Sequence, residues 1–304
     1  MNTPEIYHIH DNFVRQMLSR TIIYLPFVQY YIQPRLVYQL DSDNLQSAMN
    51  DVSSELLEEY RIDFVLKTTT KDNASITVYI VFEHKSEYDA GVFGQAGNYC
   101  EMLKKNFESN HPGELIDIVP VIIYHGAKKW NVLAHGSNQH IKGQHFIQRY
   151  EFFDISHTPD TKLVGPPQLR LLLLVLKYAR SMQIMQKIDE LFVLIKEAHK
   201  KVSIDPAFVY TVLRYLKYAS LPKFRESIMK KIEEFRGSRD TQDIGLYLRK
   251  EDFERGEKLS EKHKFEKTAI AIAMIKNREK DEKIMKETGL SIEEITRLRK
   301  LIEN

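Results

Sequence analysis

The 304-residue sequence has a single cysteine and no long run of apolar residues. One cysteine cannot form an internal disulfide, and a chain without disulfides is typical of the reducing cytosol. The N-terminus lacks the apolar segment of a secretory signal peptide. The apolar run at residues 171–176 is far shorter than the roughly 20 residues that a membrane span needs. These absences predict a soluble, cytoplasmic protein in which Cys100 is a small buried hydrophobe.

The sequence also lacks an excess of charge of either sign, since its net charge is only +2. Its apolar share of 43% and charged share of 28% are ordinary for a globular protein of this length. A nearly neutral chain has no overall basic field that would by itself indicate nucleic-acid binding. Any contact with DNA must therefore come from a local patch.

Two strand-like segments in the first third of the chain contain charged residues where apolar ones would be expected. Residues 60–69 carry Asp63 between apolar neighbours, and residues 75–85, rich in β-branched and aromatic residues, end in Glu83-His84-Lys85. The polar residues 71–74 between the segments are typical of a turn. The pattern predicts two strands that pair antiparallel.

Strand side chains alternate between the two faces of a sheet, so Glu83 and Lys85 should share one face and His84 should lie on the other. Antiparallel pairing would bring Asp63 beside Glu83 and place two carboxylates and one ammonium at the end of an apolar sheet. Burial of such groups without partners is costly, on the order of 2–7 kcal/mol even for a polar group. A divalent cation would offset that cost, and oxygen ligands favour Mg²⁺ or Mn²⁺ over zinc.

The combination of Asp63 with Glu83-x-Lys85 resembles the PD-(D/E)xK nuclease signature. Within that superfamily the chain resembles the Rpn family, the recombination-promoting nucleases that are also described as transposases. Many members of this family carry a glutamine at the position of Lys85, whereas lysine is standard in the superfamily, so this departure favours activity. The resemblance extends to His10-Asp11-Asn12-Phe13, Arg15, residues 119–126, Trp130 and residues 288–295.

The resemblance and the order of predicted elements imply an α/β protein with a restriction-endonuclease-like αβββαβ core, a mixed sheet with helices on both faces. This nuclease-like domain would cover residues 1–157, and the proline- and glycine-rich residues 156–168 would mark its boundary. Residues 168–240 would form a helical support domain. Residues 241–304 would form a charged helical tail, used for oligomerisation or shaped as a helix-turn-helix-like segment.

Apolar residues at three- and four-residue steps predict the individual helices. They place a first helix at residues 11–25, one against the sheet at residues 90–107, and one at residues 168–185. The alternating charges of residues 261–286 predict one long helix. Its apolar seam for a partner helix would be Ala269, Ile270, Ala273 and Met274. Gly289 would end this helix, and Ser291 with Glu294 would form the capping box of a last short helix.

The resemblance implies a metal-dependent endonuclease that hydrolyses DNA phosphodiester bonds, linked to recombination or to mobile-element and defence roles. Asp63 and Glu83 would hold Mg²⁺ or Mn²⁺, with the backbone carbonyl of His84 as a further ligand. Lys85 would orient the attacking water or stabilise charge on the phosphate. Asp11 has two interpretations, a cap at a helix start and a third acidic residue of the metal site.

Several alternatives remain open at this stage. Gln95 is either a helper residue of the active site or a solvated helix residue, and the charged residues at the sheet end could be a surface salt-bridge cluster. The fold could also be a catalytically inactive nuclease that binds DNA or assembles with itself. A transposase of the three-acid type would need neither Lys85 nor its spacing, and no third acid on a late helix is evident.

Overall fold

A computed structural model describes residues 5–49, 62–72, 75–130, 150–201, 206–238, 268, 270–288, 295–296 and 298–299. Ile9–Ile232 forms one compact unit, and residues 1–8 together with 233–304 supply a second. Among the described residues, no helix combines the length and the apolar character that a membrane crossing requires.

A five-stranded mixed sheet lies at the centre of the larger unit. The first three strands are antiparallel neighbours, and the third to fifth are parallel neighbours. Parallel neighbours need a crossover connection, which is a helix between the third and fourth strands. In their order across the sheet, the strands are β1 (Gln46–Ser47), β2 (Phe64–Thr69), β3 (Ile76–Lys85), β4 (Leu115–Tyr124) and β5 (Glu151–Asp154).

Eight α-helices have both ends within the described residues, and the last of them belongs to the second unit. They are α1 (Glu5–Leu18), α2 (Thr21–Phe27), α3 (Val92–Asn110), α4 (Pro167–Tyr178), α5 (Ile184–Lys201), α6 (Pro206–Ala219), α7 (Arg225–Gly237) and α8 (Asp281–Thr288). The order of α1, β1, β2, β3, α3 and β4 is helix, three strands, helix and strand. The α/β class and the αβββαβ core are therefore confirmed.

The pairing of β2 with β3 fixes which side chains meet at the end of the sheet. Phe64 lies opposite Phe82, and the register continues to Thr69 opposite Thr77. The next position beyond the first of these pairs is Asp63 beside Glu83. The predicted antiparallel hairpin is confirmed, although β2 is shorter than expected and its predicted first residues, 60 and 61, lie outside the described part of the chain.

Apolar side chains cover both faces of the sheet. On one face, Val65 and Val81 pack against Tyr99 and Leu103 of α3. On the other face, the ring of Phe82 contacts that of Phe27 in α2, with 5.7 Å between centroids. Cys100 in α3 is buried, as expected for a small hydrophobe.

Helices α4, α5 and α6, and α7 as far as Ile232, belong to the same compact unit as the sheet. The ring of Tyr215 in α6 stacks on that of Phe13 in α1 with 3.9 Å between centroids. The limits proposed for three domains, 1–157, 168–240 and 241–304, stay predictions.

Two predicted helices have different ends in the structure. The first was expected at residues 11–25, but α1 already begins at Glu5, and a break after Leu18 separates it from α2. The helix expected at residues 168–185 ends at Tyr178. There the hydroxyl of Ser181 accepts a hydrogen bond from the Gln183 backbone N–H at 3.1 Å. A serine that bonds to the nearby backbone favours a turn over a continuous helix.

The long helix predicted for residues 261–286 is wrong, because residues 277–280 interrupt it within the described part of the tail. Arg278 adopts a left-handed conformation with φ of 58°. Its N–H donates to the Ile275 carbonyl, and the Glu279 N–H donates to the Met274 carbonyl. This pair of bonds is a Schellman motif, which ends a helix even when the left-handed residue is not glycine.

The buried stripe of the tail also differs from the predicted seam. Ile270 is 49% exposed and Ala273 is exposed, whereas Met274 packs against the small core only in part. Ala269, Gly289, Ser291 and Glu294 lie outside the described residues. The core itself consists of Ala271, Ile275, Ile284 and Ile295.

We expect Phe82→Ala to lower the free energy of unfolding by about 3–5 kcal/mol, because it removes a fully buried aromatic ring and leaves a cavity. Urea unfolding followed by circular dichroism would measure the change. Leu115→Ala is the matched control, since Leu115 is 58% exposed and should lose at most about 0.5 kcal/mol. Equal losses in the two variants would contradict the burial of Phe82 in the core.

Candidate active site

The ends of β2 and β3 bring the predicted carboxylates and lysine together. Asp63 and Glu83 are only 6% and 4% exposed. Oδ2 of Asp63 accepts a hydrogen bond from the His84 backbone N–H at 2.8 Å, and Nζ of Lys85 lies 2.9 Å from Oε1 of Glu83. Two buried carboxylates on neighbouring strands and one ammonium thus form a connected cluster.

The His84 side chain lies away from this cluster, as the alternation of strand side chains predicts. Its ring stacks on that of His125, which directly follows β4, with 4.6 Å between centroids, and the two Nε2 atoms are 2.5 Å apart. His10 in α1 lies beside His125, and its Nδ1 is 2.7 Å from the hydroxyl of Tyr215. Four elements of the fold therefore meet behind the carboxylates.

Burial determines the charge state of these three histidines. Desolvation lowers the pKa of His10 to about 3 and also lowers the pKa values of His84 and His125. The neighbouring imidazoles lower the pKa of His125 further. At neutral pH the three rings are uncharged and act as a packed polar layer.

Helix α1 carries two charged side chains to the same end of the sheet. Oδ1 of Asp11 lies 3.6 Å from Nδ1 of His84. Burial is the main cause of the raised pKa values of Asp63 and Glu83, and the Asp11 charge adds to it in both. Because Asp11 lies in the middle of α1, its interpretation as a helix cap is wrong. Arg15, one turn later, is 52% exposed and holds its Nη2 atom 4.0 Å from Oδ1 of Asp63.

The two carboxylates carry perturbed pKa values because each is buried near other acids. Burial, followed by the charge of Glu83, raises the pKa of Asp63 to about 8, although the hydrogen bond from His84 opposes this. Burial also raises the pKa of Glu83 despite the opposing effect of Lys85. The guanidinium of Arg15, at 4.0 Å, is too distant for a hydrogen bond. Its charge lowers the pKa of Asp63 but does not outweigh burial and Glu83. The one ammonium of the cluster, that of Lys85, therefore does not compensate both carboxylates.

The donor set suits a divalent cation that prefers oxygen ligands. Oε2 of Glu83 is buried and has no hydrogen-bond partner within the described part of the chain. No group of three histidine, cysteine or acidic side chains converges as a complete metal cage in the described ranges. Magnesium sites commonly use only one or two carboxylates and complete the shell with water and phosphate oxygens. Asp63 and Glu83 therefore fit such an ion.

Lys85 has a second acidic partner that sequence reasoning missed. Its Nζ lies 3.0 Å from Oδ2 of Asp89, which precedes α3. Burial alone would lower the pKa of Lys85, but Glu83 and Asp89 outweigh burial and raise it. The sequence could have indicated this ion pair, because Asp89 follows Lys85 by four residues and lies shortly before Gly91.

Other side chains near the site were also missed or misjudged. Gln95 in α3 is half-buried and its amide donates to the Tyr99 hydroxyl, so its interpretation as a solvated residue is wrong. In the sequence, only the family resemblance distinguishes Arg15 and His10 from their neighbours. The position of Tyr215 beside His10 had no signal, since 205 residues separate the two in sequence.

Comparison with known proteins identifies a family. The sequence model of a protein family described as "Putative transposase, YhgA-like" matches residues 8–204, which is more than half of the chain. No curated protein and no solved structure matches the chain.

We expect the metal-free protein to lose stability as the pH rises from about 7 to about 8. The pKa of Asp63 is raised from 3.8 to about 8 on folding, so the folded state holds a proton there that the unfolded state has released. The stabilising contribution is full below pH 3.8 and is lost as the pH passes through about 8. Above 6.5, the ordinary value for histidine, the buried imidazoles no longer change charge on unfolding.

Urea titrations with chelator across this pH range would measure the slope. Asp63→Asn removes the titrating group and should give a flatter dependence. Asp72→Asn, at an exposed turn position, is the control and should keep the wild-type slope. A wild-type stability that is constant or rises across the range would contradict the raised pKa.

Proposed function

The chain belongs to the YhgA-like transposase family, and on this premise we propose that it is a metal-dependent nuclease that hydrolyses DNA phosphodiester bonds. One observation carries the proposal. Asp63 and Glu83 are buried side by side with Lys85, and an oxygen of Glu83 has no hydrogen-bond partner in the described structure. If the cluster served only stability, apolar residues in its place would give a more stable fold, because they avoid the cost of burying charge.

Asp63 and Glu83 would hold Mg²⁺ or Mn²⁺, with the backbone carbonyl of His84 as a further oxygen ligand. Asp11 lies at the same end of the sheet, with its Oδ1 3.6 Å from Nδ1 of His84, and its charge adds to the raised pKa values of both buried carboxylates. This position supports Asp11 as a third acidic residue of the site. When bound, a divalent cation supplies an acidified water and a polarised phosphoryl oxygen.

The remaining roles belong to side chains and one backbone group of the protein. The Lys85 ammonium would donate hydrogen bonds to the attacking water or to the phosphate, where negative charge develops during hydrolysis. The backbone N–H of His84 holds the Asp63 carboxylate in place through its 2.8 Å hydrogen bond. The neutral histidine layer would exclude water behind the site and keep the ends of the strands fixed.

The substrate would be DNA, and the active protein would be a homo-oligomer. The near-neutral net charge means that phosphate binding must rely on individual cations such as Arg15. For assembly, the exposed Ile270 of the helical tail would supply part of an apolar contact. A location in the cytoplasm fits the single cysteine.

Nicking of supercoiled plasmid would test the nuclease directly. We expect nicking by the wild type with Mg²⁺ or Mn²⁺ and none with chelator. Asp63→Ala should abolish it, because half of the carboxylate pair is lost, and Lys85→Ala should slow it by about 100- to 1,000-fold. Asp72→Ala and Lys104→Ala, both at exposed positions, are the matched controls.

Two other outcomes would redirect the interpretation. Nicking that survives both active-site substitutions would come from another site or from a contaminant. A wild-type protein that shifts DNA on a gel without cutting it would favour the alternative function, a catalytically inactive fold that binds DNA.

We expect Arg15→Ala to weaken DNA binding by about tenfold, because its half-exposed guanidinium would donate to a phosphate beside the scissile bond. Fluorescence anisotropy with Ca²⁺, at several salt concentrations, would measure affinity without turnover. The slope of the logarithm of the binding constant against the logarithm of the salt concentration should fall in magnitude by about one, as expected for the loss of one phosphate contact. Arg15→Lys should recover part of the affinity, since lysine keeps the charge but not the planar fork.

Arg170→Ala is the control for this experiment, because Arg170 is half-buried and lies near Tyr31. It should leave both the affinity and the salt slope unchanged. An Arg15→Ala variant that binds DNA like the wild type would remove Arg15 from the substrate site.

A further inference from the structure

The Lys85 ammonium is held from two sides. Its Nζ lies 2.9 Å from Oε1 of Glu83 and 3.0 Å from Oδ2 of Asp89. A lysine ammonium has three donors on a flexible four-carbon stem, so its position depends on the acceptors around it. Two carboxylates at these distances leave one donor for a further partner.

Asp89 is itself fixed by the backbone before α3. Its Oδ1 accepts a hydrogen bond from the Gly91 N–H at 2.9 Å, and its carbonyl accepts one from the Val92 N–H at 3.3 Å. One oxygen of the carboxylate is thus used to hold the loop, and the other is directed at Lys85. These contacts fix the position of the Asp89 carboxylate although the side chain is only partly buried.

Glu83 cannot bind a cation and keep its ion pair with Lys85 at full strength. A divalent ion on Glu83 draws carboxylate charge away from the ammonium, which weakens the pair that holds Lys85. Asp89 lies outside the carboxylate pair and keeps its contact with Lys85. Without it, the flexible lysine would lose its position at the moment that the site is loaded.

We propose that Asp89 is a positioning residue that holds the Lys85 ammonium in place while Glu83 binds a cation. This inference rests on the proposed function, since it assigns Asp89 a role in that same site. Asp89 acts only through Lys85 and does not itself touch the substrate or the cation.

Asp89→Asn is the most specific variant for a test. The asparagine oxygen can still accept the Gly91 N–H, but its amide would present a donor to the ammonium. With Lys85 present, we expect the plasmid-nicking rate to fall by about a hundredfold, with little change in KM for DNA. Asp89→Glu should recover part of the rate, because it restores the carboxylate.

The same substitution in a Lys85→Gln background separates positioning from structure. If Asp89 acts through the lysine, Asp89→Asn should cause no further loss there. An equal loss in both backgrounds would show a merely structural role and overturn the inference. Glu108→Gln is the matched control, because Glu108 pairs with Lys104 at the same four-residue spacing on an exposed helix surface.

Calorimetric titration with Mn²⁺ gives a second readout that does not need turnover. In Asp89→Asn, Lys85 would pair with Glu83 alone and compete with the ion, so Mn²⁺ affinity should fall by about tenfold. In the Lys85→Gln background it should not change. Unchanged affinity and unchanged rate in Asp89→Asn would overturn the inference. If the wild type cuts no DNA, the proposed function fails, and the Mn²⁺ titrations still decide whether Asp89 acts through Lys85.

Discussion

The register between β2 and β3 decides what the end of this sheet can do chemically. With Phe64 opposite Phe82, Asp63 comes beside Glu83, and Lys85 shares the face of Glu83. A slip of one residue would turn every side chain of one strand to the other face. The carboxylates would then be separated and an ionic group would enter the aromatic packing around Phe82. The apolar pattern of both strands, which must face two different helix layers, therefore also protects the site.

Burial of two acids side by side raises their pKa values and makes the site energetically costly. The raised pKa values of Asp63 and Glu83 arise mainly from desolvation, which disfavours the charged forms. The surrounding groups satisfy the acids only in part, since Arg15 stays 4.0 Å away and Oε2 of Glu83 lacks a hydrogen-bond partner among the described residues. Such incomplete compensation is common where a site is shaped for a ligand that brings its own charge.

The histidine layer explains how so polar a site is held in a rigid position. His84 connects β3 to the residue after β4 through His125, and His10 connects α1 to α6 through Tyr215. Neutral imidazoles can pair donor with acceptor in a dry environment without the cost of buried charge. Because these contacts join four elements, the position of α1, and with it that of Asp11 and Arg15, is tied to the ends of the strands.

The sequence by itself determined the hairpin, the face shared by Glu83 and Lys85, and the αβββαβ order, because these depend on local periodicity and on alternation along one strand. It misplaced the helix ends at Tyr178 and near Arg278, where single hydrogen-bonded turns outweigh a continuing helical pattern. Only the tertiary structure decided which distant groups meet at the site. Arg15 reaches Asp63 and His10 reaches Tyr215 through packing of elements far apart in the chain, and no local pattern records such contacts.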